Sequence, residues 1–166
     1  MKAQLSRELD HLELLDKQIK CVEAERDHMS ETPPQATLSK LMGIGPEFAN
    51  ILAIEGLFRH FDKRRQIAAY AGLAPSPWRS GSIDREQGVL KPGNSRLRTT
   101  MVQAAWLWLR FQPDSALSRW FQERVGRNGG RGKKVAIIAL PRKLLVSFWK
   151  YAMSGVVIEG AVMTKA

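Results

Sequence analysis

From residue 69 to residue 82 the chain reads Ala69-Tyr70-Ala71-Gly72-Leu73-Ala74-Pro75-Ser76-Pro77-Trp78-Arg79-Ser80-Gly81-Ser82. This stretch separates two runs of helical sequence pattern. Its small residues are typical of a helix that ends at Gly72, because glycine readily adopts the left-handed conformation of a helix C-terminus. The bracketing prolines then predict a loop that presents Ser80 beside Gly81.

A second glycine-containing turn follows about ten residues later. It reads Leu90-Lys91-Pro92-Gly93-Asn94-Ser95-Arg96-Leu97-Arg98. Asn94 or Ser95 is a suitable N-cap for a helix that runs to about Phe111. That helix carries Arg96 and Arg98 in its first turn, beside Lys91 in the preceding loop. A hydroxyl among cations suits chemistry on a phosphodiester.

Serine is a poor nucleophile unless a base, a metal or a set of hydrogen-bond donors assists it. Attack on a phosphodiester adds negative charge to the phosphate oxygens, and cations stabilise that charge. The candidate catalytic residue is Ser80, and the candidate phosphate-binding side chains are Arg79, Lys91, Arg96 and Arg98. The pattern alone is weak evidence, since most Ser-Gly pairs are simple turns.

The charge of the chain is large and unevenly distributed. The formal net charge is +10 and the isoelectric point is about 10.2. Residues 1–57 hold 6 Lys/Arg and 10 Asp/Glu, whereas residues 58–166 hold 20 Lys/Arg and 6 Asp/Glu. A basic body of this density usually faces a polyanion, most often nucleic acid. A well-solvated basic surface is the alternative.

The N-terminal segment, residues 1–31, predicts one long helix over residues 3–30. Leu5, Leu12 and Ile19 recur every seven residues, and Leu15 and Val22 fall in the complementary register. This is a coiled-coil pattern, which predicts a homo-oligomer or docking on another helix. Packing of the helix on its own domain is the alternative. Prolines at 33 and 34 predict that residues 32–37 are a linker.

A glycine-rich turn opens the main domain, which we place at residues 38–155, with a tail over residues 156–166. The chain reads Met42-Gly43-Ile44-Gly45-Pro46 and continues into an apolar helix. The pattern resembles a helix-hairpin-helix motif, in which backbone N–H groups bind a DNA phosphate. Gly43, Ile44 and Gly45 are the candidate contacts. A plain turn between two packed helices is the alternative.

The rest of the domain predicts short helices and a mainly α fold, a helical bundle with one small β-hairpin. Asp62 is the expected N-cap of a helix over residues 63–71, and a hairpin is expected within residues 82–90, turning at residues 85–88. A helix over residues 115–125, a basic loop over residues 126–132 and a final helix over residues 133–154, kinked at Pro141, complete the pattern.

Several classes of protein are excluded or disfavoured. The single cysteine, Cys21, excludes an internal disulfide framework and a cysteine-based zinc site, and it fits a reducing cytoplasm. The chain has no uncharged apolar run of 18 residues, so we expect no membrane span. His11, His28 and His60 are isolated from one another in the sequence. The sequence therefore offers no metal-binding cluster of its own.

From about Leu38 to Tyr151 the chain resembles the C-terminal half of insertion-sequence transposases of the IS-one-ten type, the DEDD-type serine transposases guided by a bridge RNA. The resemblance rests on short motifs that occur in the same order and spacing: Met42-Gly43-Ile44-Gly45-Pro46 with Ala49, Phe61, Ala68-Ala69-Tyr70-Ala71-Gly72-Leu73-Ala74-Pro75, Ser80-Gly81, Lys91-Pro92-Gly93-Asn94, Leu97-Arg98, Ala104-Ala105-Trp106, Gly132-Lys133-Lys134 and Lys143-Leu144-Leu145.

The resemblance implies that Ser80 is the nucleophile that joins covalently to DNA. It also implies a RuvC-like half that binds Mg²⁺, and this chain lacks that half, so we expect no cofactor bound here. DNA is the implied partner, with guide RNA and a full-length transposase as further candidates, the latter through the N-terminal helix. The implied function is DNA transposition. The alternatives are a noncatalytic fragment that regulates a full-length transposase, a coiled-coil assembly protein and a decayed gene product.

Overall fold

The computed structural model describes residues 2–28, 33–80, 83–89 and 92–164, with the backbone alone described at residues 2–3, 26–28, 75–80, 83–89, 128–132 and 134. Its elements are the helices α1 (Lys2–His28), α2 (Pro33–Leu38), α3 (Pro46–Leu52), a π-helical turn (Ala53–Leu57), α4 (Arg64–Tyr70), the strands β1 (Pro75–Ser80) and β2 (Ile83–Val89), and the helices α5 (Ser95–Phe111) and α6 (Ala116–Ser154). The fold is mainly helical. It divides into two units, Met1–Glu31 and Thr32–Ala166.

The first unit contains the single helix α1. The leucine stripe of the sequence lies along this helix, and its described side chains are exposed: Leu5, Leu12, Leu15, Ile19 and Val22. An ion pair of 2.6 Å joins Lys20 Nζ to Asp16 Oδ2 one turn apart. The hydrogen bond and charge of Asp16 raise the pKa of Lys20. The coiled coil itself stays a prediction.

The second unit begins with a helix where the sequence predicted a linker. Residues 33–38 form α2, which starts at Pro33 because proline is well suited to the first turn of a helix. Thr37 Oγ1 donates to the Pro33 carbonyl at 2.8 Å, and Leu38 is fully buried. The prolines therefore begin a short helix that contributes to the core.

The core of the second unit is centred on α5. One face of that helix is buried, at Leu97, Met101, Ala104, Ala105 and Trp108. Across from it, α6 contributes the buried side chains Leu140, Leu144, Leu145 and Phe148. The rings of Trp108 and Phe148 meet edge to face, with centroids 5.6 Å apart. Phe111, the last residue of α5, is 40% exposed.

Helix α6 folds back on itself. A straight helix of its 39 residues would be about 58 Å long. Yet the Ala116 N–H donates to the Glu159 carbonyl at 2.9 Å, so the chain beyond the far end of α6 meets its start. Lys143 Nζ also lies 4.6 Å from the centre of the Trp120 ring. The reversal falls between Trp120 and Lys143. The backbone of residues 126–132 is nonetheless helical. The sequence prediction of a basic loop over these residues is therefore wrong.

The small hairpin predicted within residues 82–90 is not seen. Instead β2 runs through the expected turn at residues 85–88 and pairs antiparallel with β1, in a register that joins Ser76 to Gln87 and Ser80 to Ile83. The loop predicted around Ser80 is therefore an extended strand. Pro75 and Pro77 fit such a strand, because a two-stranded ribbon consists of edge strands, where a missing N–H is tolerated. We call β1 and β2 together the ribbon.

The start of α4 also differs from the prediction. Its N-cap is Lys63, not Asp62. The side chain of Gln66 reaches back and accepts hydrogen bonds from the N–H groups of Asp62 at 2.8 Å and of Lys63 at 3.1 Å. The predicted stop at Gly72 matches its left-handed backbone, with φ of +67°. In the part of the chain that is described, no helix has the length and apolar character needed to span a membrane.

Candidate nucleic-acid interface

The ribbon places Ser80 at its far end. Ser80 is the last residue of β1 and pairs with Ile83, the first residue of β2. Gly81 and Ser82, which connect the two strands, lie outside the described residues. At about 3.3 Å per residue, the strand carries Ser80 roughly 17 Å from Pro75. The backbone of Arg79 pairs with Asp84, next to Ser80.

The two ends of the ribbon segment meet at a close contact between glycines, which we call the ribbon root. A Cβ atom on Gly93 would lie 2.6 Å from the backbone nitrogen of Gly72 and 3.0 Å from the Tyr70 carbonyl oxygen. Gly93 also has φ of +120°. The Asn94 N–H donates to that Tyr70 carbonyl at 2.8 Å. The two glycine motifs singled out in the sequence therefore form one structural unit.

A polar network fixes the ribbon root to the helices around it. Asn94 caps α5, with its Oδ1 accepting from the Leu97 N–H at 3.0 Å. Its Nδ2 donates to Glu55 Oε2 at 2.8 Å and to the Tyr70 hydroxyl at 3.3 Å. Glu55, on the π-helical turn, also pairs with Arg96 Nη1 at 3.2 Å. Glu55 thus ties the π-helical turn to the start of α5, and Asn94 connects both to Tyr70 at the end of α4.

The predicted cations are not all at the same place. Arg96 is exposed and lies at the ribbon root, beside Glu55. Arg98 is half-buried, and its N–H donates to the Asn94 carbonyl at 3.0 Å. Lys91 lies outside the described residues. The structure therefore brings Arg96 and Arg98 to the ribbon root, whereas Ser80 and Arg79 lie at the far end of the ribbon.

The glycine turn before α3 is packed tightly on one side and open on the other. Gly43 has φ of +88°, and a Cβ there would lie 2.9 Å from the Phe111 Cβ. Ile44 is buried, and its N–H donates to the Leu41 carbonyl at 3.0 Å. Gly45 is exposed, with open space where its Cβ would be. Of the three candidate backbone contacts, Ile44 thus anchors the turn while Gly45 faces outward.

Gln112 holds this turn to the C-terminal tail. The side chain is buried, and its Nε2 donates to the carbonyl oxygens of Met42 and Val162, both at 2.8 Å. Its Oε1 accepts from the Val162 N–H at 2.7 Å. The tail also forms a bridge between Leu41 and Met163. Residues beyond 155 are therefore part of the domain that presents the turn.

A second basic surface lies on α6. Lys143 Nζ and the Arg124 guanidinium lie 4.6 Å and 5.9 Å from the centre of the Trp120 ring. These contacts border a cleft of about 250 Å³ lined by Trp120, Glu123, Arg124 and Arg127. Lys143 belongs to one of the sequence motifs. The position of Trp120 under two cations was not predicted from the sequence.

The sequence did not identify Glu55, Tyr70 and Gln112 as residues whose hydrogen bonds hold neighbouring elements together. Glu55 carried a signal, since it is a lone carboxylate at the end of the apolar run Ile51-Leu52-Ala53-Ile54. Tyr70 lies inside one of the quoted family motifs, although its hydroxyl contact with Asn94 leaves no local pattern, and Gln112 carried no signal because its partners are distant in sequence. Across the described ranges, no group of three His, Cys, Asp or Glu side chains is arranged to hold a metal ion.

Comparison with known proteins places these features in a family. The model of the Transposase IS116/IS110/IS902 family matches residues 35–119, just over half of the chain. That range contains the glycine turn, the ribbon with its root, and α5.

Individual relatives extend the match over most of the chain. A putative transposase of Sinorhizobium fredii, y4rJ, is 61% identical over 98% of this chain and 45% of its own length. A probable family 20 transposase of Pseudomonas aeruginosa is 32% identical over 88% of this chain and 44% of its own length. The transposase of insertion sequence element IS1328 of Yersinia enterocolitica is 28% identical, with coverages of 93% and 47%. The chain thus spans less than half the length of these relatives, and it belongs to the IS116/IS110/IS902 family of transposases.

Proposed function

We propose that this chain is the DNA-binding, serine-bearing portion of a transposase that acts in DNA transposition. The observation that carries the proposal is the ribbon root, because the two family motifs that flank Ser80 meet there within the range that the family model matches. The basic charge of residues 58–166 supports a polyanionic partner. Arg96 and Arg98 are the proposed phosphate contacts near the root, with Arg79 next to the serine in sequence. Lys91, outside the described residues, is a further proposed phosphate contact.

Ser80 is the proposed nucleophile. Its Oγ forms an ester bond to phosphorus while the bond from phosphorus to the departing DNA oxygen breaks. The hydroxyl proton must leave and the departing oxygen must gain one, so the step needs a base and an acid. No such pair is assigned within this chain. The reaction is therefore proposed to require the RuvC-like half of a transposase, together with its Mg²⁺.

The glycine turn is proposed to bind a backbone phosphate in the manner of a helix-hairpin-helix motif. Gly45 is exposed at the start of α3, which supports a contact there. Gly43 contributes through its conformation, since φ of +88° lets the turn approach α5 closely. Ile44 secures the turn from within the core.

Two partners besides DNA are proposed. The exposed leucine stripe of α1 supports assembly as a coiled coil, with a second copy or with a full-length transposase. Guide RNA is proposed on the resemblance to bridge-RNA-guided transposases, and the basic charge is compatible with it. A noncatalytic fragment that regulates a full-length transposase is the second candidate function, favoured by the exposed leucine stripe of α1 as a docking surface for that partner.

DNA binding is tested by its dependence on salt. Fluorescence anisotropy with labelled duplex should show affinity that falls steeply with salt, with a log–log slope of about 0.9 for each phosphate that the protein neutralises. The Arg96→Gln variant should have a shallower slope, while Arg7→Gln, in the acidic first unit, is the matched control. An equal slope for Arg96→Gln and wild type would show that Arg96 does not contact a phosphate. Absence of any salt-sensitive binding would refute the proposed function.

A further inference from the structure

An exposed aromatic ring lies next to the ribbon root. Phe58 follows the π-helical turn and is 61% exposed. The Arg59 guanidinium lies 5.4 Å from the centre of the Phe58 ring and 5.0 Å from the centre of the Tyr70 ring. Tyr70 is the residue whose carbonyl and hydroxyl both accept from Asn94. Phe58 is therefore connected to the ribbon root through two direct contacts.

The surroundings of this ring are basic. Arg59 and Arg96 lie beside the ribbon root. Lys63, Arg64 and Arg65 are exposed at the start of α4. The described carboxylates nearby are Glu55, which pairs with Arg96, and Asp62, which lies 3.2 Å from His60, so the basic residues outnumber them. The surface thus combines an accessible ring face with an excess of positive charge.

This combination suits a particular ligand. Proteins that bind single-stranded nucleic acid combine a positively charged groove with aromatic side chains on which unpaired bases stack. Paired bases inside a duplex have their faces covered by their neighbours, so an exposed phenylalanine cannot stack on them. Arg59 restrains one side of Phe58 by a cation–π contact, and the exposed remainder of the ring offers a platform of fixed position.

We propose that Phe58 is a stacking platform for an unpaired nucleobase, with Arg59 binding the adjoining phosphate. The site rests on the proposed function and refines it, because it names unpaired strand rather than duplex as the ligand of this surface. An unpaired base here would lie next to the root of the ribbon that carries Ser80. The same chemistry serves DNA and RNA, since both offer an unpaired base and a phosphate.

The test uses the full chain and oligonucleotides that contain 2-aminopurine, whose fluorescence is quenched when it stacks on an aromatic ring. The probes are a DNA strand, an RNA strand of the same sequence and a blunt DNA duplex. We expect Phe58→Leu to lower affinity for an unpaired strand by roughly tenfold or more, as for one stacked base, with duplex affinity unchanged. Phe58→Trp should keep both the affinity and the quenching.

Ile54→Ala is the matched control, because Ile54 lies four residues earlier and is 59% exposed. It should bind as wild type does. If Phe58→Leu loses quenching with only one type of strand, the result supports the site and identifies its ligand as DNA or as RNA. Equal loss of strand and duplex affinity in Phe58→Leu, or no loss at all, would overturn the site while leaving the proposed function intact. Absence of all nucleic-acid binding by wild type would overturn both.

Discussion

At the scale of single residues, Gly93 is the most constrained position described. Its φ of +120° is unfavourable for other residues, and a Cβ would lie 2.6 Å from the backbone nitrogen of Gly72. We therefore expect Gly93→Ala to lower the free energy of unfolding by about 2–4 kcal/mol. Urea unfolding measures this. Gly45→Ala is the control and should change stability by less than about 1 kcal/mol, because no atom lies within 4 Å of its Cβ position. Equal losses in the two variants would contradict the tight ribbon root.

Gln112 makes a second prediction at this scale. Replacement by leucine removes three hydrogen bonds and leaves the Met42 and Val162 carbonyls without this partner. We expect Gln112→Leu to cost about 2–3 kcal/mol of unfolding free energy, and to speed hydrogen exchange at the Val162 amide. Gln122→Leu, at an exposed position on α6, should be nearly neutral. Unchanged exchange at Val162 in the Gln112 variant would show that the tail is held by other contacts.

At the scale of elements, α1 is the helix with the most exposed apolar surface. Leu12 is 62% exposed and Ile19 is 56% exposed, both on the heptad stripe. Burial of such a stripe between two helices is the driving force of a coiled coil. We expect the chain to be a dimer or larger in light scattering, and Leu12→Ser with Ile19→Ser to convert it to a monomer. Leu14→Ser, off the stripe, should leave the assembly unchanged. A monomeric wild-type chain would refute this use of α1.

The elements also show where sequence patterns were sufficient. The face of α5 with Leu97, Met101 and Trp108 was predictable because apolar residues spaced by three or four form one side of a helix. The start of α5 at Asn94 was predictable from its capping chemistry. The ribbon was not, since the antiparallel pairing that sets Ser76 opposite Gln87 leaves no local sequence pattern. Proline in β1 argued against a strand, and only the edge position makes it acceptable.

At the scale of the whole molecule, the domain is closed by contacts between residues far apart in sequence. The tail reaches Leu41 through Met163, and Glu55 reaches Asn94. Neither pair could be predicted from one sequence, because nothing local specifies the partner. The charge distribution, by contrast, was readable directly and pointed to nucleic acid. The candidate site residues stay predictions, whereas the separation of Ser80 from Arg96 along the ribbon required the structure.

That separation shapes the expected activity of the chain. Ser80 and Arg79 lie at the far end of the ribbon from the cations at its root, and the proposed reaction requires the RuvC-like half of a transposase. We therefore expect the purified chain to bind DNA without completing strand transfer. Strand transfer by this chain alone, seen as recombinant product on a gel, would contradict the account.

The most direct measurement is a denaturing-gel assay for a covalent protein–DNA adduct. The reaction combines this chain with the separately expressed amino-terminal half of a full-length relative, Mg²⁺, guide RNA and labelled element-end DNA. We predict an adduct that requires the added half, disappears in Ser80→Ala and persists in Ser76→Ala, a serine on the same strand. An adduct that survives Ser80→Ala would contradict the central claim, and so would the absence of any adduct when DNA binding is retained.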